Sequence, residues 1–418
     1  MATIDQKKVL EKWKRGLNLG KKGLSLYKQY GFRERPFKRD LIDKNSYLFV
    51  PPQEFYELPE WVASCYAANQ SGLLIGASDV GKSTLARFLA YTLSNSVKDA
   101  QIHYVQLKGL ADASEKNPKP EEVFIDGPHA IGIEAELQKK DLAEPDIFIV
   151  DDIEIGLRRE KFIDELDRYI QTANHTIIGI TTPSVPSEII DLFGDVYRIN
   201  SIEHETIVKI LTTRIYYYKE NGEEKDSTRD LTPFTEEALN RITEYSIGLP
   251  GLALDLADSC LQGITDFNET EITPEIVDYI AQILQYPIAK DIEMGRSINY
   301  VEEEGGERKQ KELNLSITGS KASILKEILF QSRLYPEKPG ITNTKLSNST
   351  RISIQAHTIS YHTNILEKCK ILEVQEGLRS KKKGKFRYFY LRKPIMNAIE
   401  LRFLPQKPPA TSEVMIKR

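Results

Sequence analysis

The residues with the clearest chemical potential lie in GLLIGASDVGKSTLARFLAYTL, residues 72–93. This stretch has the spacing Gly-x-x-x-x-Gly-Lys-Ser, filled by Gly76, Gly81, Lys82 and Ser83. Glycines at this spacing let backbone N–H groups curl around a chain of phosphates, at the positive end of the following helix. The lysine reaches the β- and γ-phosphates, and the serine hydroxyl completes the shell of a Mg²⁺ ion. The pattern predicts a site for ATP and Mg²⁺, with nucleotide contacts from Gly76, Ala77, Ser78, Asp79, Val80, Gly81, Lys82, Ser83 and Thr84.

A nucleotide site of this kind needs a second, acidic element, and DIFIVDDIE (residues 146–154) supplies it. The apolar run at 147–150 predicts a buried parallel strand, which delivers Asp151 and Asp152 to the carboxyl edge of the sheet. We expect Asp151 to be the Mg²⁺ ligand, with Ser83, and Asp152 to polarise the attacking water. Because aspartate is one methylene shorter than glutamate, either hydrolysis is slow or Glu154 contributes.

The apolar run at 73–75 predicts a buried strand before the phosphate loop. Three further strands are predicted, IHYVQL, TIIGITT and DVYRIN, the first of them between the phosphate loop and the acidic strand. The result is a five-stranded parallel sheet with an added central strand. Thr181 and Thr182 lie at the tip of the fourth strand, where a polar side chain can sense the γ-phosphate or simply begin a turn. The predicted catalytic residues are therefore Asp152, Lys82, Thr181 and Thr182.

The next segment, after residue 200, has apolar residues at three- and four-residue spacing in four successive stretches, which predicts an all-helical lid. Thr273 followed by Pro274 is a typical helix start. A polar stretch containing EEEGGE then predicts a linker. The predicted boundaries are a basic extension at 1–27, a P-loop core at 28–200, a lid at 201–288, a linker at 289–315, a winged-helix domain at 316–405 and a tail at 406–418.

The winged helix is predicted from three helical patterns followed by a strand, a polar loop and the strand FRYFYL. The loop region GLRSKKKGKFRYFYL carries six Lys or Arg residues within residues 379–387, and we interpret it as a wing that reaches phosphates of double-stranded DNA. Base reading is assigned to the start of the third helix. The predicted DNA-binding residues are His357, Thr358, Ser360, Tyr361, Lys381, Lys382, Lys383, Lys385 and Arg387. The alternative is a winged helix that makes only protein contacts.

The distribution of charge supports a polyanionic partner. Residues 1–40 carry a net charge of +8 and residues 316–418 a net +13, whereas the segment between them carries −25. The three cysteines are far apart and the six histidines form no metal-binding spacing, which argues against a disulfide scaffold or a zinc finger. No apolar run is long enough for a membrane span or a secretory signal, so we expect a cytoplasmic protein without a membrane partner.

These motifs together resemble AAA+ ATPases of the archaeal origin-recognition and initiator clade, over roughly residues 28–400. The lead-in segments YGFRERPF and LFVPPQEFYELPEWVASC are similar to AAA+ ATPases of transposon target selection and of the ExeA type. The resemblance implies an α/β P-loop AAA+ core with a helical lid and a C-terminal winged-helix domain. It also implies ATP hydrolysis and DNA binding.

The sequence departs from that family pattern at two arginines. Gly251 stands where members carry the lid arginine that contacts the γ-phosphate, and its GLPG context is similar to the GLPL signature of STAND signalling ATPases. The arginine finger of AAA+ rings has only Arg198 as a candidate, within the fifth strand.

Three functions are compatible with these features. The first is an ATP-dependent, DNA-binding AAA+ ATPase of the replication-initiator type, slow and regulatory, which clamps double-stranded DNA and recruits a replicative helicase. The second is a transposition or plasmid-maintenance ATPase that forms homo-oligomers on DNA and recruits a recombinase. The third is a STAND-type signalling ATPase whose winged helix is an internal packing module.

Overall fold

The fold is taken from a computed structural model of the chain. It describes residues 27–38, 48–96, 101–107, 146–158, 162–172, 175–219, 230–267, 269–304, 307–316, 318–335, 340–378 and 385–403.

A five-stranded, all-parallel sheet forms the centre of the molecule, in the order β2-β3-β4-β1-β5. The strands are β1 (Gly72–Gly76), β2 (Gln101–Gln106), β3 (Asp146–Asp151), β4 (Thr176–Thr181) and β5 (Asp195–Ile199). Every residue of β1 and β4 is buried, as expected of strands covered on both faces. Successive side chains enter opposite layers: Leu73 and Ile75 pack in one apolar core and Leu74 in the other. The predicted P-loop α/β core with five parallel strands is confirmed.

Helices cover both faces of this sheet. They are α1 (Leu58–Ala67), α2 (Lys82–Ser96), α3 (Ile153–Gly156), α4 (Phe162–Thr172) and α5 (Ser187–Asp191). A 3₁₀ turn, Gln53–Tyr56, precedes α1. Because α2 follows β1 directly and α3 follows β3 directly, both chemically interesting segments lie at the same carboxyl edge of the sheet.

The segment after β5 is helical, and its helices pack on the core at that edge. They are α6 (His204–Tyr218), α7 (Glu236–Tyr245), α8 (Pro250–Gly263), α9 (Pro274–Ile283) and α10 (Tyr286–Glu293), with a 3₁₀ turn at Ile264–Asp266. Thr235 caps α7 by accepting a hydrogen bond from the backbone N–H of Ala238. Proline occupies the first turn of α8, α9 and α10, where its missing N–H costs nothing.

The stretch predicted as a linker is not a linker in the structure. Residues 289–315 contain the end of α10 and an antiparallel hairpin, β6 (Ile298–Glu304) and β7 (Glu307–Leu313). Most described residues of the hairpin are exposed, because it packs mainly through Ile298 and Leu313 at its open end. A hairpin so rich in charge has no apolar alternation, which is why the sequence pattern indicated a linker.

The last part of the chain, residues 318–403, is referred to below as the C-terminal module. It contains α11 (Gly319–Leu334), α12 (Asn343–Ser347), α13 (Ala356–Lys368), an antiparallel pair β8 (Leu372–Leu378) and β9 (Lys385–Leu391), and α14 (Lys393–Phe403). Three helices followed by two strands is the order predicted for a winged helix. Phe389 and Leu391 form the packed face of β9. Helix α14 was not predicted, and it packs against α10 and the phosphate loop.

Candidate nucleotide site

The phosphate loop connects the end of β1 with the start of α2. Its backbone takes positive φ angles at Asp79 (67°) and Gly81 (101°), a conformation that is easy for glycine and tolerated by aspartate. The Nζ of Lys82 donates hydrogen bonds to the carbonyl oxygens of Gly76 (2.8 Å) and Ala77 (2.9 Å), so the side chain folds back across the loop. The cation is thus held beside the backbone N–H groups that the pattern assigns to phosphates.

A cavity of about 460 Å³ opens over this loop. Its lining includes most of the residues predicted to bind nucleotide or act on it: Ser78, Asp79, Val80, Gly81, Lys82, Ser83, Thr84, Asp151, Asp152, Thr181 and Thr182. Gly76 and Ala77, at the start of the loop, hold Lys82 through their carbonyls. The structure therefore brings the phosphate loop, the acidic strand end and the fourth strand tip to one cavity.

The two adjacent aspartates have different surroundings. Asp151 is buried; one carboxylate oxygen accepts a hydrogen bond from the hydroxyl of Tyr104 (2.7 Å) and the other from the backbone N–H of Asp152 (2.9 Å). Burial, and then the Asp151 charge, raise the pKa of Tyr104, which therefore stays a donor. Asp152 takes a left-handed backbone (φ 59°) and accepts a hydrogen bond from the side-chain amide of Gln106 (3.1 Å).

Glu154 also lines the cavity, and its environment differs from those of Asp151 and Asp152. It lies in α3, is 6% exposed and accepts a hydrogen bond from the hydroxyl of Thr181 (2.8 Å). Burial, and after it the charge of Asp152, raise the pKa of Glu154 to about 7, against an opposing effect of Lys82. A carboxyl that titrates near neutrality, beside a phosphate site, has the properties of a general base.

The two threonines at the end of β4 have different hydrogen-bond partners. Thr181 faces Glu154, as described above, whereas the Thr182 hydroxyl shares a hydrogen bond with the Ser184 hydroxyl (2.8 Å). The backbone carbonyl of Ser184 in turn accepts a hydrogen bond from Arg351 of the C-terminal module (3.4 Å). Thr182 therefore lies near the junction between the core and that module.

The close approach of the lid explains the glycine at position 251. The Gly251 N–H donates to the carbonyl of Asp79 (3.0 Å), and a Cβ atom there would lie 2.6 Å from the Cβ of Asp79. No side chain fits at this contact without displacing the phosphate loop. The family arginine expected here is thus incompatible with the packing. Arg198 lies within β5, paired with Ile75, as its sequence position predicts.

Three residues of the C-terminal module reach the cavity, and none of them was predicted as a site residue. Ser332 and Arg333 at the end of α11, and Lys393 at the start of α14, all line it. Lys393 also lies 3.2 Å from carboxylate oxygens of both Asp79 and Asp255. One feature of the sequence could have indicated that this module has a buried polar contact. Two polar residues, Asn397 and Glu400, lie at helical spacing within the apolar run PIMNAIEL.

The predicted DNA-reading residues lie on α13, with different degrees of exposure. His357 is exposed and Tyr361, one turn later, is 62% exposed, so the two share an outward face. Thr358 and Ser360 are half-buried, and the Ser360 hydroxyl accepts a hydrogen bond from the side chain of Asn343 (3.2 Å). The far end of α13 is covered in part by the hairpin, because Lys368 forms an ion pair with Glu302 of β6.

The predicted wing residues are only partly within the described chain. Lys381, Lys382 and Lys383 lie outside the described residues, and Lys385 opens β9 opposite Leu378. Arg387 donates hydrogen bonds to Asn364 (3.1 Å) and to Glu367, both on α13. This arginine therefore joins the strand to the helix, in addition to any DNA contact.

No protein-family model matches the chain, and no curated protein matches it. Among solved structures, it is similar to the Aeropyrum pernix ORC1 protein in complex with DNA, with 14% sequence identity and a TM-score of 0.43, over 88% of this chain and 96% of that one. The Thermotoga maritima RuvB Holliday junction branch migration motor aligns with 16% identity and a TM-score of 0.38, over 84% and 95% of the two chains. Drosophila ORC bound to DNA aligns with 13% identity and a TM-score of 0.40, over 87% and 93%. These identities and TM-scores are too low to assign a family. Within the ranges described above, no helix is both long and apolar enough to cross a membrane.

Proposed function

We propose that this protein is an ATP-regulated, DNA-binding AAA+ ATPase of the initiator type, in which the nucleotide controls the position of the C-terminal module. The observation that carries this proposal is that one cavity is lined by the phosphate loop, the acidic strand end and two helices of that module. A nucleotide in this cavity would touch both the core and the module. Its γ-phosphate would therefore change their contact.

The residues in the cavity fit ATP and Mg²⁺. The hydroxyl of Ser83 and the carboxylate of Asp151 are oxygen donors, which Mg²⁺ prefers, and both line the cavity with Lys82. Bound there, Mg²⁺ would neutralise phosphate charge. Lys82 would attract the β- and γ-phosphates, and the loop N–H groups would orient them.

Hydrolysis needs a carboxylate that takes a proton from water. We propose Asp152 for this role, at the position next to the magnesium ligand, with Glu154 as the alternative because its pKa lies close to 7. Thr181 holds the carboxyl of Glu154 in place and would report the γ-phosphate to it. Thr182 connects the strand tip to the side of the module through Ser184.

DNA binding is assigned to the exposed face of α13 and to the basic loop before β9. His357 and Tyr361 present polar groups on the outward face of the helix, which suits contacts with base edges. The lysine-rich loop suits phosphate contacts, which give affinity and salt dependence without sequence preference. Once bound to DNA, the protein would recruit a replicative helicase or a recombinase.

A signalling switch is the second candidate, and one observation favours it. The module packs directly on the phosphate loop, where Glu400 accepts a hydrogen bond from the N–H of Ser78 (2.6 Å), as an internal packing module would. The two functions differ in one property, because a switch of this kind need not bind DNA.

The test is a fluorescence anisotropy titration of labelled duplex DNA with wild-type protein, in the presence of Mg²⁺ with either ATP or ADP. The initiator function requires DNA binding that depends on which nucleotide is present. Lys82→Ala should remove that dependence, since the ammonium that attracts the phosphates is lost. Nucleotide binding without any DNA binding would move the signalling function to first place.

A further inference from the structure

A chain of polar contacts connects the C-terminal module to the phosphate loop. Glu400 of α14 accepts a hydrogen bond from the backbone N–H of Ser78 (2.6 Å), and its other carboxylate oxygen accepts one from the Nε of Arg333 (2.8 Å). The Glu400 side chain is fully buried and that of Arg333 is 18% exposed. Arg333 also donates to Asn397 (2.9 Å), whose amide donates to Asp79 of the loop (2.7 Å).

Glu400 presents to the loop the same chemistry as a phosphate oxygen. It is an anionic oxygen held by a backbone N–H of the phosphate loop, with a guanidinium as its counter-charge. The start of α2 cradles the inner phosphates in this type of loop. Ser78 lies at the opposite end of the loop from α2, so a group bound to its N–H competes with the outermost phosphate.

Gly251 has no side chain that could contact the γ-phosphate, whereas Arg333 is a cation that lines the same cavity. Of the other cations in the described cavity lining, Lys82 donates to the loop carbonyls, Arg87 donates to Gln106 (3.1 Å) and Arg214 donates to the carbonyl of Lys38 (2.6 Å). Lys393 lies 3.2 Å from carboxylate oxygens of Asp79 in the loop and Asp255 in the lid. Arg333 instead has an anionic partner that belongs to the module itself. Arg333 lines the same cavity as Asp79 and Glu154.

We propose that Arg333 is the residue that detects the terminal phosphate of ATP, and that Glu400 holds its place when this phosphate is absent. In the nucleotide-free and ADP states, Glu400 binds Ser78 and Arg333. In the ATP state, the terminal phosphate takes over both partners, and α14 leaves the loop. This deepens the proposed function and rests on it, since it requires ATP in the same cavity.

In this proposal the Glu400 carboxylate, which is part of the chain, competes with the terminal phosphate of ATP for the same two donors. Because the two cannot share the same donors, ATP binding shifts the population toward the state in which α14 is released from the loop. The size of this shift is set by the difference in ATP affinity between the two states. ADP lacks the competing phosphate and leaves the contact formed. The lid arginine of related ATPases is thereby replaced by an arginine from the next module along the chain.

The experiment measures the affinities of the Mg²⁺ complexes of AMP-PNP and ADP for purified full-length variants by isothermal titration calorimetry. Glu400→Gln removes the competing charge, so we expect AMP-PNP to bind about tenfold more tightly, with ADP affinity changed less than threefold. In that background Arg333 no longer has its ionic partner. Adding Arg333→Gln should then weaken AMP-PNP binding about tenfold or more, again with little effect on ADP.

The double variant also protects the test against misfolding, since it leaves no buried charge unpaired. Matched controls are Glu373→Gln and Arg392→Gln, which break an ion pair of the same module that does not line the cavity. Both controls should bind the two nucleotides as the wild type does. The inference is wrong and the proposed function stands if the wild type binds AMP-PNP and Glu400→Gln binds it no more tightly than these controls do. The same holds if adding Arg333→Gln to Glu400→Gln leaves the AMP-PNP affinity unchanged.

A second measurement needs no substitution. Hydrogen–deuterium exchange of the wild type should become faster in peptides from α14 when AMP-PNP is added, and should stay unchanged with ADP. Equal exchange with the two nucleotides overturns the inference. If the wild type binds neither nucleotide, the proposed function itself fails, which separates the two outcomes.

Discussion

Thr181 donates a hydrogen bond to Glu154 across 2.8 Å, although one residue ends β4 and the other lies in the short helix after β3. Neighbouring parallel strands bring their carboxyl ends to one edge, and the sharp left-handed turn at Asp152 directs α3 back over that edge. The pair places a carboxyl of raised pKa beside the phosphate loop. The cavity therefore holds two candidate bases, Asp152 and Glu154.

The first prediction separates these two bases. Asp152→Asn should leave ATP bound and reduce hydrolysis by roughly 10²- to 10⁴-fold, because an amide cannot take a proton from water. Steady-state phosphate release and ATP affinity are measured in parallel, with Glu154→Gln as the matched comparison. Unchanged turnover in Asp152→Asn, together with a loss in Glu154→Gln, would assign the base to Glu154.

The second prediction concerns the pH dependence of stability without nucleotide. Because the pKa of Glu154 is raised from 4.5 to about 7, the folded state prefers the protonated carboxyl. Its contribution is complete below pH 4.5 and is lost as the pH rises through 7, a change of about 3 kcal/mol in the free energy of unfolding. Urea unfolding of the wild type and of Glu154→Gln, at a series of pH values, should show this decline only in the wild type. Asp164→Asn, which alters an exposed carboxylate of α4, is the control, and parallel pH profiles for wild type and Glu154→Gln would contradict the prediction.

The third prediction tests the contact between the lid and the phosphate loop. Gly251→Ala puts a Cβ atom 2.6 Å from that of Asp79, so the loop or the lid must move. We expect a loss of about 1–3 kcal/mol in stability and weaker binding of both ADP and AMP-PNP, since the loop serves both. Gly194→Ala is the matched control, because a Cβ there meets its nearest neighbour at an ordinary 3.6 Å. Wild-type affinity for both nucleotides in Gly251→Ala would mean that the contact is looser than the structure indicates.

The fourth prediction concerns the basic loop. Replacing Lys381, Lys382, Lys383 and Lys385 with alanine should flatten the slope of log K against log salt by roughly 3 to 4, at about 0.9 per lost phosphate contact. The loss should be similar on specific and random duplexes, because phosphates carry no sequence information. Lys368→Ala is the control, since that lysine is already paired with Glu302. A four-lysine variant with the wild-type slope would remove the loop from the DNA-binding surface.

The fifth prediction concerns the exposed face of α13. Replacing His357 and Thr358 with alanine should weaken binding to preferred DNA sites by roughly 1 to 3 kcal/mol per lost base contact, with a smaller effect on random sequences. The comparison uses the same duplexes and a fixed salt concentration. Equal losses on both kinds of duplex would indicate phosphate contacts in place of base reading.

Local patterns were enough to predict the core of this protein. Five short segments were predicted as the five parallel strands, and the phosphate-loop pattern from Gly76 to Ser83 was predicted to lie between a strand and a helix. Such features depend on neighbours a few residues away, so the sequence specifies them directly. The sequence also showed Gly251 in place of the lid arginine of the family pattern, but it did not show the close contact with Asp79 that requires a glycine there.

The hairpin of β6 and β7 could not be predicted for an equally physical reason. Strand β7 is charged along most of its length and β6 ends in three glutamates, so neither has the regular alternation that marks a strand with one buried face. Pairing between the two strands and the contact with Lys368 hold it in place. Neither interaction leaves a periodic trace in the sequence.

What the tertiary structure alone decided is the meeting of Ser78 with Glu400, which are 322 residues apart in the chain. Sequence by itself determined that a phosphate loop exists, that acidic groups end the third strand, and that a basic module closes the chain. It could not determine that this module contributes Arg333 to the nucleotide cavity and Glu400 to the phosphate loop, because the helical spacing around Glu400 provides Asn397 but no cation. Packing of α14 against α11 provides the guanidinium, and packing against the core provides the backbone N–H, that together make its burial favourable.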